Sequence, residues 1–201
     1  MLESIIEIDQ RLFLFLNGLQ SNFWDEFFWI ITETKTWIPF YFFLFVKTWH
    51  HLSAGYQVKM WKNLGMLAVA VGATITLADQ TTSGFMKPFF ERLRPSHDPV
   101  TAPFTEFYEY AKGHVYKGGK FGFASSHAAN SFALFGLLSM IFKNKSITIT
   151  LLVWAFFVSY SRIYLGVHYP GDILVGAMIG TLYGLLVGYL LNKLHSAWIG
   201  K

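Results

Sequence analysis

The chain has 201 residues, of which 53% are apolar, 19% aromatic and 14% charged, with no cysteine and a formal net charge of +4. A soluble domain carries roughly 25% charged residues, so this composition points to a membrane protein. It excludes a disordered chain, which lacks the apolar surface to offset ordering entropy, and a disulfide scaffold. The positive charge is small and scattered, so no nucleic-acid partner is expected.

Residues 1–22 lack the basic start and the small-residue cleavage site of a signal peptide. Leu2, Ile5, Ile6, Phe13 and Leu16 can share a helical face, with Glu3, Glu7 and Gln10 away from it. A short helix lying in the membrane interface is expected, with packing on the bundle as the alternative. A membrane span needs about 20 mostly apolar residues. Phe23–Trp49 has the length but is interrupted by Thr32-Glu33-Thr34-Lys35, and is read as one kinked helix. Asn63–Met86, Ser126–Phe142, Ser146–Tyr164 and Asp172–Leu191 are the other four candidates. The expected fold class is all-α, a multi-pass transmembrane helix bundle of five full spans, six at most, in a single membrane-embedded domain over residues 1–201. Residues 87–125, with Pro95, Pro99, Pro103 and Gly118-Gly119, form its long loop region. In the last span Gly176, Gly180, Gly184 and Gly188 stack into one smooth ridge. Close packing inside the bundle is its expected use, and a homodimer seam is the alternative to a monomer. Trp37, Trp49, Trp61 and Trp198 fall near span ends, where amphipathic rings favour the headgroup layer.

Ionisable residues at membrane depth cost about 2.5–3.5 kcal/mol each on insertion scales, and so mark function. Here they gather at helix mouths. Lys87 and Arg94 follow one span, Ser125, Ser126 and His127 open the next, Arg162 closes the third, and His168 and Asp172 lead into the last. Chain direction alternates with each crossing, so all of these fall on one membrane face. Lys87, Arg94 and Arg162 supply three cations, and guanidinium forks match phosphate oxygens. Ser125 and Ser126 open a helix whose free N–H groups favour an anion. The set suits a phosphate dianion. A neutral imidazole can attack phosphorus, and a carboxylate on its other nitrogen fixes the tautomer; His168 and Asp172, four residues apart, fit those roles. His127 is then the acid that protonates the leaving oxygen and later activates water. Zinc on two histidines and an aspartate is rejected, because three surrounding cations would oppose it.

The stretch from Lys87 through six residues to Arg94-Pro95 resembles the first signature of the type 2 phosphatidic acid phosphatase superfamily, which includes lipid phosphatases and vanadium haloperoxidases. Ala124-Ser125-Ser126-His127 resembles its second, usually Pro-Ser-Gly-His. Ser161-Arg162, five residues, His168, three residues and Asp172 match its third. The resemblance covers about residues 60–192. It implies a bacterial membrane-bound phosphatase with a phosphohistidine intermediate on His168, no metal or other cofactor, and phosphate binding by Lys87, Arg94, Ser125, Ser126 and Arg162. Ala124 and Ser126 depart from the pattern; were a positive φ needed at the glycine position, serine would cost about 1–2 kcal/mol there.

His50, His51, His114 and His195 are assigned no role, and His97 and Asp98 are read as surface loop. Asp79, Ser83 and Lys87 recur at four-residue spacing, so Asp79 can hold Lys87 through intervening polar atoms. Arg92 is expected to meet lipid headgroups, and Lys112, Lys117 and Lys120 to be solvated. Opposite the site lie Lys47, Lys59, Lys62, Lys143, Lys145, Lys193 and Lys201. With Lys87, Arg94 and Arg162 set aside as functional, the site face keeps Arg11, Arg92, Lys112, Lys117 and Lys120. That slight bias, like the resemblance, puts the site on the extracytoplasmic face of a plasma or inner membrane. The expected activity is removal of a terminal phosphate from a membrane lipid phosphate or isoprenyl pyrophosphate. Undecaprenyl pyrophosphate, phosphatidic acid and phosphatidylglycerophosphate rank first as substrates, and lipid A dephosphorylation or phosphate transfer next. A non-catalytic lipid-binding relative is the non-enzyme alternative.

Overall fold

The computed structural model describes residues 2–54 and 60–199; Lys59, Lys201 and the side chains of Leu2, Trp198 and Ile199 lie outside the described residues. Helices α1 (Leu2–Asn17), α2 (Asn22–Thr32) and α3 (Ile38–Ser53) lead into α4 (Met60–Asp79). A π-helical stretch (Gln80–Met86) carries α4 on into α5 (Lys87–Phe90), making one continuous helix, Met60–Phe90. After the loop come α6 (Ser126–Phe142), α7 (Lys145–Tyr164) and α8 (Pro170–Ile199). Met60–Phe90, Lys145–Tyr164 and Pro170–Ala197 are long and apolar enough to cross a membrane. At 17 residues, α6 rises about 25 Å, the short end of what spans a bilayer. The loop carries one two-stranded hairpin, β1 (Glu109–Ala111) with β2 (His114–Val115).

The helix starts follow from local chemistry. Asn144 caps α7 by accepting from the Ile147 amide at 3.1 Å. Pro170 stands at the first position of α8, where a missing N–H costs nothing. Two positions later the Asp172 carboxylate reaches back to the Tyr169 amide, Oδ2 to N 3.0 Å, the acidic half of a capping box. The glycine ridge of α8 lies against the small-residue face of α6. A Cβ on Gly176, Gly180 or Gly184 would run into the carbonyls of Ser125, Ala129 and Ala133 respectively. The ridge is therefore used inside the bundle, where backbones approach closely through dispersion.

Three expectations need correction. Phe23–Trp49 is two helices, because Glu33 adopts an extended conformation and a 3-10 turn (Thr34–Trp37) intervenes. The polar run that interrupts the apolar pattern breaks the helix outright. The inward face of α1 is also different: Phe13 and Asn17 are buried, while Ile5, Ile8, Leu12 and Phe15 are exposed. Gln10 turns inward and donates to Asp98. Apolar periodicity cannot tell a face that meets protein from one that meets lipid, and α1 has both. Third, Arg92 does not point to headgroups; its guanidinium joins two carboxylates, Asp172 and Asp9.

Candidate active site

His168 stands in the turn between α7 and α8 and is 1% exposed. Its Nε2 lies 3.2 Å from Nη1 of Arg94. A guanidinium only donates, so Nε2 accepts and the ring proton sits on Nδ1. That nitrogen faces Asp172 Oδ2 at 3.2 Å. The tautomer is thus the one that leaves a lone pair on Nε2. Burial, with Arg94, Arg162 and Lys87 close by, holds the His168 pKa well below the usual imidazole range, so the ring is neutral at physiological pH. Arg94 is buried too, and donates from Nε to the Phe121 carbonyl at 3.1 Å and from Nη1 to the Val167 carbonyl at 3.3 Å. Burial and Arg162 pull its pKa down to about 10, which leaves it cationic at neutral pH.

The loop must come close here. A Cβ on Gly122 would lie 3.0 Å from Asp172 Oδ2, a tight contact, and 3.5 Å from His168 Nδ1, an ordinary one, so a larger residue would press on the carboxylate. At the head of α6 the Ser125 side chain caps the Ala128 amide at 3.4 Å, and the Ser125 amide donates to the Asp172 carbonyl at 3.0 Å. Ser126 does not have positive φ, so the glycine of the family pattern is replaced without backbone strain. Its Oγ accepts from Lys87 Nζ at 2.8 Å. The π-helical stretch, a feature frequent at functional sites, supplies the supports: Thr82 Oγ1 lies 3.1 Å and Ser83 Oγ 2.6 Å from Ser126 Oγ. Lys87 also donates to Ser83 Oγ at 3.1 Å, and Ser83 in turn to Asp79 Oδ1 at 3.3 Å. The link from Asp79 to Lys87 through Ser83 is therefore present.

Arg162 is 2% exposed. It donates from Nη1 to Thr32 Oγ1 and from Nη2 to the Tyr116 hydroxyl, the latter at 2.9 Å. Its Nε is buried with no hydrogen-bond partner among the described residues, a donor that a phosphate oxygen would fill. His127 lies within electrostatic reach of Arg162, His168, Lys87 and Arg94. It also lines a cavity of about 360 Å³ with Asn130, Leu134, Leu138, Tyr41 and Val71. Along α6 from His127 to Leu138 this slot runs about 16 Å into the bundle.

His168, Asp172, His127, Lys87, Arg94, Ser125, Ser126 and Arg162 thus gather at one mouth of the bundle. Arg92, Asp9, Tyr116 and Thr32 belong to the same neighbourhood. No spacing rule could have found them, since their partners are remote in the chain. His97 is exposed, as the loop reading has it, whereas Asp98 accepts from the Tyr169 hydroxyl at 2.7 Å.

A bundle of apolar helices with buried cations, a neutral histidine and a carboxylate at one mouth defines a membrane-embedded phosphoryl-transfer enzyme. The chain belongs to the PAP2 superfamily, whose family profile matches residues 60–196. It is 39% identical over 197 residues to the lipid A 4'-phosphatase of Bacteroides thetaiotaomicron, covering 96% of this chain and 81% of that protein. To the lipid A 4'-phosphatase of Porphyromonas gingivalis it is 39% identical over 204 residues, covering 99% of this chain and 79% of that protein. Its fold matches the crystal structure of a transmembrane PAP2-type phosphatidylglycerolphosphate phosphatase from Bacillus subtilis, with a TM-score of 0.65, 23% identity and coverage of 94% of this chain and 87% of that one. The protein is a membrane lipid phosphatase of this family.

Proposed function

We propose that the protein removes the 4'-phosphate of a lipid A-type glycolipid, with the site on the extracytoplasmic face of the inner membrane. The substrate order expected from sequence is thereby reversed in favour of the sugar-linked phosphate, on the strength of two relatives that match nearly the whole chain. Residues 1–201 act as one membrane-embedded domain, with α1 at the interface and residues 87–125 forming the extracytoplasmic loops.

The observation that carries the reaction is the direction of the His168 lone pair, which meets a guanidinium on one side while Asp172 accepts a hydrogen bond from the ring N–H on the other. The phosphate dianion draws Arg94, Arg162 and Lys87 onto its oxygens, with the first-turn amides of α6 behind them. Arg94 then releases Nε2, which attacks phosphorus. The P–O bond to the sugar breaks as the N–P bond forms, and His127, which enters the step protonated beside the bound dianion, gives its proton to the departing oxygen. Water, deprotonated by His127, attacks the phosphohistidine, and inorganic phosphate leaves with His168 neutral again. Asp172 stabilises the positive ring in both steps without leaving its place. The apolar slot beneath His127 accepts one hydrocarbon chain of the substrate, and Asn130, which lines it and whose buried Oδ1 has no hydrogen-bond partner among the described residues, can accept from a hydroxyl or amide N–H.

Purified enzyme should be assayed for phosphate release from lipid A 4'-phosphate, phosphatidic acid, phosphatidylglycerophosphate and undecaprenyl pyrophosphate in matched mixed micelles. Lipid A 4'-phosphate should give a kcat/KM at least about tenfold above the others, roughly what 1.4 kcal/mol of differential transition-state binding supplies, and chelator should leave the rate unchanged. Equal or faster turnover of the non-sugar lipids would overturn the substrate assignment.

A further inference from the structure

The amino-terminal helix reaches the catalytic carboxylate through one arginine. Arg92 donates from Nη1 to Asp172 Oδ1 at 2.8 Å and from Nη2 to Asp9 Oδ2 at 2.7 Å. The other oxygen of Asp9 accepts from the Gly171 amide at 2.8 Å, one residue before Asp172. The guanidinium also lies over the Tyr169 ring, 4.2 Å from its centroid. Asp172 is wholly buried, and its Oδ2 is committed to His168 and to the Tyr169 amide. Oδ1 is the oxygen left for a counter-ion, and Arg92 holds it.

Four cations crowd this mouth, and a phosphate dianion attracts them all. Lys87, Arg94 and Arg162 are the three proposed to take the phosphate, and the fourth, Arg92, must stay with the carboxylate. Asp9 is the group that keeps it there: with an anion on each arm of its fork, Arg92 is fixed in place. Although burial works against its charge, Asp172 and Asp9 more than compensate and hold the Arg92 pKa above its usual value.

We propose that Arg92 and Asp9 are positioning residues of the reaction: Arg92 holds Asp172 ionised and aimed at His168, and Asp9, from α1, keeps Arg92 off the incoming phosphate. The helix at the membrane surface is then part of the catalytic apparatus, because it fixes the group that orients the nucleophile. This rests on the roles proposed for His168 and Asp172.

The test measures kcat and KM for phosphate release with the full chain in detergent, for Arg92→Gln, Arg92→Lys, Asp9→Asn and the double variant Asp9→Asn/Arg92→Gln. His168→Ala serves as reference. Arg92→Gln should lower kcat about 100-fold, the scale of a misplaced reacting group, with KM within twofold. Arg92→Lys should recover part of that, and Asp9→Asn should lower kcat about tenfold. In the Arg92→Gln background Asp9→Asn should add nothing, because the two act through one contact. Losses that multiply independently, a loss that falls on KM with kcat kept, or unchanged kcat in Asp9→Asn would overturn the proposal. Should Arg92→Gln fail to fold, Asp9→Asn and Arg92→Lys still decide it through the split between kcat and KM. Activity remaining in His168→Ala would instead strike at the nucleophile assignment, so the two failures are distinguishable.

Discussion

At the residue scale, the nucleophilic role proposed for His168 requires a neutral ring, and its surroundings favour that form. Burial first, then Arg94, Arg162 and Lys87, disfavour the imidazolium and lower its pKa. The sign follows directly: the reactive neutral form predominates above the lowered pKa and is lost only on acidification through it. In the free enzyme kcat/KM reports that ionisation. With the second ionisation of the substrate phosphate, near pH 6, divided out, the acid limb of the kcat/KM profile should lie below pH 6.5, the ordinary histidine value. A limb at or above that value would mean that His168 is not the group that must lose its proton. The pairing of His168 with Asp172 is readable from sequence, because the two are four residues apart on either side of a helix start. Arg92 was not readable. Its partner Asp9 is 83 positions away, and an arginine near a helix mouth has the same local signature whether it meets headgroups or a carboxylate.

At the scale of elements, position is set by what the helices can bring close. The α6–α8 contact aligns Ser125, Ser126 and His127 with Asp172, and it depends on glycine. A side chain at Gly180 would occupy the space of the Ala129 carbonyl. Gly180→Leu should therefore destabilise the folded protein by about 1–3 kcal/mol or more, the usual cost of overpacking, and lower the melting temperature in detergent. An unchanged melting temperature would mean that the two helices do not depend on this approach. The four-residue period made the ridge visible in the sequence, but periodicity names no partner, so bundle packing and a homodimer seam read alike until α6 is seen in place. The break at Glu33–Trp37 shows the opposite limit. Composition flagged a polar turn there, yet kink and break differ only in backbone torsions that the residue types do not dictate. The buried side of α1 escapes periodicity for a related reason: Phe13 packs on Ile163 and Tyr169, and Asn17 donates to the carbonyls of Ile163 and Tyr164 at the end of α7.

At the scale of the whole molecule, three sequence-distant clusters converge because helix direction alternates, and that much of the architecture follows from counting spans. The loop across residues 87–125 is different. Its contribution, Tyr116 on Arg162 and the Phe121 carbonyl on Arg94, depends on a path through two short strands and several turns that no period encodes. The resulting chamber joins a cationic mouth to an apolar slot at His127, so a phosphorylated lipid can present its headgroup to the site while a chain stays out of water. In the proposed reaction the Nε2 atom of His168 takes the phosphoryl group. The most direct test is an alkaline-quenched single turnover with substrate labelled in the transferred phosphate, followed by peptide mapping of the protein. Label on His168, absent in His168→Ala, is the predicted result; turnover that leaves the protein unlabelled at every quench time, or places the label on another residue, would contradict it.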